Sequence, residues 1–300
     1  MDNSSREILV EEAKTGNRAA LESLILSIQD RIYGLALRML WHPEDAEDAT
    51  QEILIKIITH LDSFRSECAF TTWVYRVATN HLLTTHKRKA ERKELTFKDY
   101  ELRIDQSVAV TSSNAAMNSE QSLIIQEIMI ACTLGMLLCM SRELRLSYIL
   151  GDISEISGEQ AATILRISPA AFRKRLSLAR LQLRDFMTNK CGLVNPDNSC
   201  RCSGFVHHVI KRTGNNTDNF MFAEHSCRRH KNVVTSEQLQ EMQELQRIIT
   251  IYRSHPDYAA PEKFVEGIKE LIDSGKYKLF GGTGRALGAA SATHMPSGRA

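Results

Sequence analysis

The chain has 300 residues, of which 43% are hydrophobic and 25% are charged. This balance is typical of a soluble globular protein of two or three small domains and excludes wholesale disorder. The formal net charge is only +2, which excludes a polycation, so any binding of nucleic acid must depend on local clusters of Lys and Arg. Seven cysteines, an odd number, favour free thiols or metal ligands over a disulfide framework.

The N-terminus has neither the basic nor the apolar region of a secretory signal. The longest strongly apolar run, residues 128–140, is too short to span a membrane and predicts a buried helix. We therefore expect a cytoplasmic protein without a membrane segment.

Helical periodicity dominates the first 93 residues. Residues 6–41 predict two helices, the second with apolar residues that recur every three or four positions. Two further helices are predicted over residues 43–64 and 70–93. Because the connections are short, the four helices should form one compact domain over residues 1–93.

The helix predicted after Pro43 has an apolar side and an acidic side. Leu54, Ile58 and Leu61 belong to the apolar side. The opposite side carries four polar residues: Asp45, Asp48, Gln51 and Glu52. Such a side is either solvated surface or a contact for a partner protein.

The next helix begins with aromatic residues and ends with basic ones. Trp73 and Tyr75 suit stacking on unpaired bases, although residues at this spacing are also typical of a core, which is the role we expect for Trp73. The basic end, which includes Lys87 and Arg88, suits a phosphate backbone.

Residues 94–118 have mixed charge, a Ser/Thr/Asn cluster and no sustained apolar period. They predict a flexible linker.

Residues 119–189 predict a second helical domain that contains a helix-turn-helix. Ser157 and Gln160 form a capping box for one short helix. Ser168 and Pro169 are suited to the N-cap and first turn of the next helix.

The second helix of this motif separates apolar from basic residues. Its inward residues repeat at spacings of four, three and four: Phe172, Leu176, Ala179 and Leu183. The candidates for contact with DNA are Ala170, Ala171, Arg173, Lys174, Arg175 and Ser177. A run of one charge sign on this helix favours binding in the major groove, although a solvated face is the alternative.

These segments together resemble the extracytoplasmic-function (ECF) sigma factors of bacterial RNA polymerase. One matching group comprises Pro43, Asp45, Ala46, Asp48, Gln51 and Glu52. The other comprises Phe64, Arg65, Phe70, Trp73, Tyr75, Arg76, Ala78 and Asn80. The resemblance implies that the first group docks on the clamp coiled coil of the polymerase. It implies that the second group reads and melts the minus-10 promoter element, and that the helix-turn-helix binds the minus-35 element.

The DNA-binding residues expected at the minus-10 element are Phe70, Trp73, Arg76, Asn80, Lys87 and Arg88. The partners implied by the resemblance are core RNA polymerase and promoter DNA, with an anti-sigma protein as a further candidate.

A C-terminal extension, residues 190–280, goes beyond the minimal plan of that family. It carries four cysteines with several histidines nearby: Cys191, Cys200, Cys202 and Cys227. These residue types are suitable ligands for zinc or copper, but the spacing lacks a paired C-x-x-C, so reduced thiols without a ligand are the alternative. The extension resembles Cys-rich extensions that some ECF sigma factors carry in place of a separate anti-sigma protein, some of which sense metals.

Two amphipathic helices are predicted within residues 239–252 and 264–272, separated by Pro256 and Pro261. Their apolar faces must be buried, either against each other in a small autonomous domain or on the upstream domains. We hypothesise that residues 190–275 fold back on the two upstream domains and modulate them. Residues 281–300 are rich in Gly, Ala and Ser and are expected to be disordered.

The predicted fold is all-α: two small helical domains joined by a flexible linker, the second with a helix-turn-helix, plus a helical extension. We expect a transcription initiation factor that binds core RNA polymerase and directs it to promoters. No catalytic constellation occurs at a usable spacing, so neither an enzymatic activity nor a required cofactor is predicted. Two alternatives remain, a stand-alone helix-turn-helix regulator and a metal-responsive binding module.

Overall fold

Four helices form the N-terminal domain of the computed structural model: α1 (Asn3–Lys14), α2 (Arg18–Leu40), α3 (Pro43–Thr59) and α4 (Phe70–Thr84). The structure describes residues 3–85, 95–108, 119–213, 220–222, 227–229, 244–261, 264, 266–267 and 269–270. Asn17 caps α2, because its side chain accepts a hydrogen bond from the Ala20 N–H at 3.2 Å. The four predicted helices of this domain are confirmed, but α4 ends at Thr84, before an extended Thr85, whereas the prediction continued it to residue 93. Residues 86–94 lie outside the described ranges.

The core of the N-terminal domain lies between α2 and α3. Leu24 and Ile28 of α2 are at most 1% exposed, and Ile53 and Ile57 of α3 are fully buried. Burial of each such side chain stabilises the fold by roughly 1.5–3 kcal/mol. Packing on this core fixes which side of α3 remains at the surface.

The predicted linker contains a further helix, α5 (Phe97–Val108). Thr96 and Asp99 cap it reciprocally, with the Asp99 N–H donating to Thr96 Oγ1 and the Thr96 N–H donating to Asp99 Oδ2, each at 3.1 Å. Tyr100 and Ile104 pack inward, and the Tyr100 hydroxyl donates to the Cys132 carbonyl at 2.9 Å. The prediction of a flexible linker is therefore wrong for the residues of α5. The helix was missed because its apolar residues at helical spacing, Phe97, Tyr100 and Ile104, stand among charged ones.

The second domain consists of α6 (Ser119–Leu138), α7 (Arg142–Tyr148), a π-helical turn (Ile149–Ile153), α8 (Gly158–Leu165) and α9 (Pro169–Lys190). Ser157 caps α8 and Ser168 caps α9, as predicted. Arg166, in the turn between them, has a left-handed backbone with φ of 53°. The helix-turn-helix is confirmed.

The two domains are in direct contact. The guanidinium of Arg145, only 3% exposed, donates to carbonyls at the C-terminal ends of two helices, namely Met39 of α2 and Leu137 of α6. Such end carbonyls lack partners within their own helices, so one arginine satisfies both helix ends. Trp41 adds a second contact, because its indole N–H donates to the Ala131 carbonyl at 3.1 Å.

The described part of the extension contains a 3-10 turn (Cys202–Phe205), α10 (Val206–Thr213), β1 (Cys227–Arg229), α11 (Glu244–Arg253) and β2 (Asp257–Tyr258). The two short strands pair antiparallel and form a minimal ribbon in an otherwise helical fold. The all-α class is confirmed. Within the described ranges, no helix combines the length and apolar character needed to cross a membrane.

The extension packs on both domains, which is one of the two arrangements that the sequence analysis left open. The Tyr252 hydroxyl of α11 donates to the Thr133 carbonyl of α6 at 3.0 Å. Farther along, the Ala260 N–H donates to Asp30 of α2 at 3.0 Å, and the Phe264 ring meets Tyr33 of α2 edge-on at 6.5 Å. The expected disorder of residues 281–300 lies outside the described residues.

Candidate functional site

The acidic side of α3 is at the surface. Asp48, Gln51 and Glu52 are exposed, whereas Asp45 is half-buried and lines a cavity of about 450 Å³ near the start of α3. Glu52 also contacts a neighbouring helix, since its carboxylate lies 3.5 Å from Nε2 of the buried His81 of α4. The apolar side faces α2, so the periodicity of α3 correctly predicts its two sides.

The aromatic start of α4 is part of the core. Phe70 is fully buried, and its ring lies 5.5 Å from Phe64 and 5.8 Å from Trp73, between centroids. From this position Phe70 cannot contact a base, which corrects the expectation that it binds DNA directly. Trp73 is half-buried in the same aromatic cluster, in agreement with the core role expected for it.

The polar residues of α4 face the second domain. Arg76 is half-buried and donates to the Thr163 carbonyl of α8 at 3.4 Å, while Asn80 is exposed. Because α8 lies on α4, the helix expected to read the minus-10 element is partly covered in this form. The predictions for Lys87 and Arg88 lie outside the described residues.

The candidate recognition residues of α9 lie on its outer side. Ala170, Arg173, Lys174 and Ser177 are exposed, and Ala171 and Arg175 are half-buried. Of the four inward positions, Phe172, Ala179 and Leu183 are buried and Leu176 is half-buried. The arrangement leaves the basic N-terminal part of α9 accessible to a DNA groove.

An ion pair that the sequence analysis missed joins α9 to the π-helical turn, and its carboxylate partner is buried. Arg180 donates through two nitrogens to the Asp152 carboxylate of the π-helical turn, at 2.8 and 2.6 Å. The pair raises the pKa of Arg180. Arg253 of α11 donates to the Asp152 carbonyl at 2.6 Å, so the extension contacts the same turn. No local pattern marks these residues as partners.

The structure brings three of the four predicted cysteine ligands together. Cys191 follows α9 and pairs with Cys200 through an isolated parallel bridge, and Cys202 begins the next turn. Cys227 lies in β1 opposite Tyr258, and its side chain is outside the described residues. Within the part of the chain that is described, no three Cys, His, Asp or Glu side chains already have a metal-coordinating arrangement.

The N-terminal domain coincides with a known family segment. Region 2 of the sigma-70 family matches residues 24–93, which contain all of α3 and α4 and most of α2. The match lies in the N-terminal domain, and the helix-turn-helix of α8 and α9 follows it along the chain.

Characterised relatives extend this match. The RNA polymerase sigma-H factor of Pseudomonas aeruginosa is 28% identical over 176 residues, which cover 57% of this chain and 88% of the relative. SigE, an ECF sigma factor of Mycolicibacterium smegmatis, is 29% identical over 177 residues, 58% of this chain and 65% of its own length. The ECF sigma-E factor of Haemophilus influenzae is 28% identical over 180 residues, which cover 58% of this chain and 90% of the relative. Together these matches indicate that the chain is an ECF-type sigma factor.

Two solved structures are partly similar. CnrH in complex with the cytosolic domain of CnrY has 22% sequence identity and a TM-score of 0.39, over 61% of this chain and 97% of that chain. The sigma factor RpoE in complex with the anti-sigma factor NepR from Bartonella quintana has 22% sequence identity and a TM-score of 0.37. The similarity covers 55% of this chain and 94% of that chain. Both likenesses are too distant to carry functional meaning.

Proposed function

We propose that this chain is a cytoplasmic transcription initiation factor that binds core RNA polymerase through the polar side of α3. The proposal is carried by one observation: the sigma-70 region 2 match contains α3, whose polar side remains exposed. Promoter DNA binds at two places, the polar residues of α4 and the basic N-terminal part of α9. The protein acts by binding and catalyses no reaction of its own.

Promoter reading by α4 requires a rearrangement of the described form. Arg76 is engaged with the α8 backbone, and α8 lies on α4. In this proposal Arg76 exchanges its contact with α8 for one with DNA, which separates the two helices. Binding to core polymerase, a large surface outside both domains, supplies the free energy for that separation in this proposal.

The polymerase surface is tested by reversing one exposed charge, Asp48→Lys. Like charges placed against each other across an interface are unfavourable, so we expect affinity for core polymerase to fall about tenfold, or ~1.4 kcal/mol. Glu52 is left unchanged because its carboxylate contacts His81, and its reversal would disturb packing. Affinity is measured with purified core polymerase, and promoter-specific run-off transcription is measured in parallel.

The matched control is Asp62→Lys, the same reversal at an exposed residue just beyond α3. We expect it to bind core polymerase as the unaltered chain does. Equal affinity of both variants would remove the polar side of α3 from the interface without affecting the initiation function. Failure of the unaltered chain to direct core polymerase to any promoter, with unaided binding to duplex DNA, would instead favour the stand-alone regulator.

A further inference from the structure

A buried histidine of α4 lies beneath the polar side of α3. The side chain of His81 is only 2% exposed, and each of its two ring nitrogens faces a charged group of α3. The Lys56 ammonium lies 2.7 Å from Nδ1, and the Glu52 carboxylate lies 3.5 Å from Nε2. Glu52 and Lys56 are one turn apart in α3, so a single imidazole contacts two neighbouring side chains of its surface.

The contact with Lys56 determines which ring nitrogen of His81 carries the proton. A charged ammonium group donates hydrogen bonds and cannot accept them, so Nδ1 must accept. The proton of the neutral ring is therefore on Nε2, the nitrogen that faces the Glu52 carboxylate. The imidazole thus offers an acceptor to the cation and a donor to the anion.

Packing of α3 on α4 does not by itself require a histidine at this position. Val74 and Ala78, which precede His81 at helical spacing, are apolar and at most 4% exposed. Burial of a polar ring costs free energy that its polar contacts must offset, and an apolar residue of similar size often packs equally well. The contacts with Glu52 and Lys56 are therefore what distinguishes histidine from leucine here.

These contacts restrain two side chains that would otherwise move freely at the surface. Glu52 is 51% exposed and Lys56 is exposed, yet His81 holds the charged end of each. Long charged side chains lose rotamer freedom when a partner binds them, so restraint in the free protein reduces that cost. Lys56 also follows Asp48 and Glu52 at intervals of four residues, which extends the polar side of α3 by one turn.

We propose that His81 is a positioning residue of the polymerase-binding surface and that Lys56 belongs to this surface. The inference rests on the function proposed for α3 and adds two residues that the sequence analysis assigned to no site. The partner surface that it implies has basic groups opposite Asp48 and Glu52 and an acidic group opposite Lys56. His81 acts only through Glu52 and Lys56 and does not itself touch the polymerase.

The first test separates this role from packing, in the full-length chain. His81→Leu should keep or raise the midpoint of urea unfolding, because it fills similar space without polar groups. The same variant should lower affinity for purified core polymerase about three- to tenfold, because two side chains lose their restraint. His81→Gln should restore the affinity, since its amide has both an acceptor and a donor.

The matched control is His60→Leu, the same substitution at an exposed histidine just beyond α3. We expect it to bind core polymerase as the unaltered chain does. If His81→Leu also binds with unchanged affinity, the proposal is overturned. A loss of stability in His81→Leu without a loss of affinity would assign this histidine to packing alone.

A mutant cycle tests whether His81 acts through its two partners. Lys56→Ala and Glu52→Gln should each weaken polymerase binding, and His81→Leu should have no further effect in a chain that carries both. A full additional loss in that chain would contradict the proposal. Both single substitutions are at the surface of α3, so unchanged affinity in both would overturn it even if His81→Leu failed to fold.

Two further observations complete the test. Nitrogen NMR of the unaltered chain at neutral pH should show His81 protonated at Nε2, and protonation at Nδ1 would exclude the proposed arrangement. Asp48→Lys distinguishes this inference from the proposed function. If Asp48→Lys weakens polymerase binding and His81→Leu does not, only the positioning role fails, whereas unchanged affinity in both removes the polar side of α3 from the interface.

Discussion

Basic residues of α9 have different roles although they share one helix. Arg180 binds the Asp152 carboxylate, which is 2% exposed, and this pair orients the helix. Removal of the arginine would leave the buried Asp152 carboxylate without this partner, so Arg180 is a structural residue. Arg173 and Lys174 are exposed near the N-terminal end, where a recognition helix meets DNA.

We expect Arg173→Ala to weaken promoter binding by the polymerase complex. The binding free energy should weaken by about 1–3 kcal/mol if the guanidinium contacts a base edge. If it contacts a phosphate, the slope of the logarithm of the binding constant against the logarithm of the salt concentration should become shallower by about one unit. Binding is measured over a range of salt concentrations. Arg184→Ala, at an exposed position farther along α9, is the control and should change neither quantity. If Arg173→Ala and Lys174→Ala both behave like this control, α9 is not the recognition helix.

At the scale of the elements, helix ends join the two domains. Arg145 satisfies end carbonyls of α2 and α6, and Arg142 does the same for the end of α4. Terminal carbonyls carry the negative end of the helix dipole, so a guanidinium is favourable there. The contact between the domains therefore depends on a few charged hydrogen bonds together with apolar packing.

Arg142→Ala should weaken this contact. Its guanidinium donates to the carbonyls of Leu83 and Thr85 at 3.3 and 2.6 Å, and a hydrogen bond to a charged group contributes roughly 1.5–3 kcal/mol when buried. Because Arg142 is half-exposed, we expect the free energy of unfolding in urea to fall by about 1–2 kcal/mol. Arg173→Ala, fully on the surface, should change it by no more than about 0.5 kcal/mol. An equal effect of the two substitutions would show that Arg142 does not stabilise the contact.

At the scale of the whole molecule, the extension connects the two domains. Arg253 and Tyr252 of α11 contact the second domain, whereas Tyr258 and Phe264 contact α2. The Tyr258 ring lies 5.1 Å from the Arg38 guanidinium, at a distance typical of a cation–π contact. A segment that binds both domains stabilises the form in which α8 covers α4.

Releasing the extension from α2 should therefore raise transcription. We expect the double variant Tyr258→Ala and Phe264→Ala to increase run-off transcription several-fold. The substitutions remove contacts that stabilise the form in which α8 covers α4, and the polymerase-bound form does not need these contacts. Lys269→Ala is the control, since its ammonium lies 3.8 Å from Glu22 in an exposed pair that contributes little.

Truncation after Asn189 removes the whole extension and should act in the same direction. If neither the double variant nor the truncated chain differs from the full-length protein, the extension does not restrain initiation.

Local sequence patterns were sufficient to predict most of the helices and the sides that these helices leave at the surface. Capping by Ser157 and Ser168, and the apolar period of α3 and α9, depend on neighbours within a few residues, so they could be derived without a structure. For the same reason the polar side of α3 and the basic part of α9 were predicted at the positions where they are exposed.

Contacts between residues that are distant in the chain became known only from the folded structure. α5 was missed because its few apolar residues are diluted by charged ones, although its Thr96–Asp99 cap is a local signal. Phe70 was assigned to DNA because burial cannot be deduced from residue type. Nor could local pattern place α8 on α4 or the extension on α2, since such contacts depend on how whole faces pack and not on neighbours in the chain.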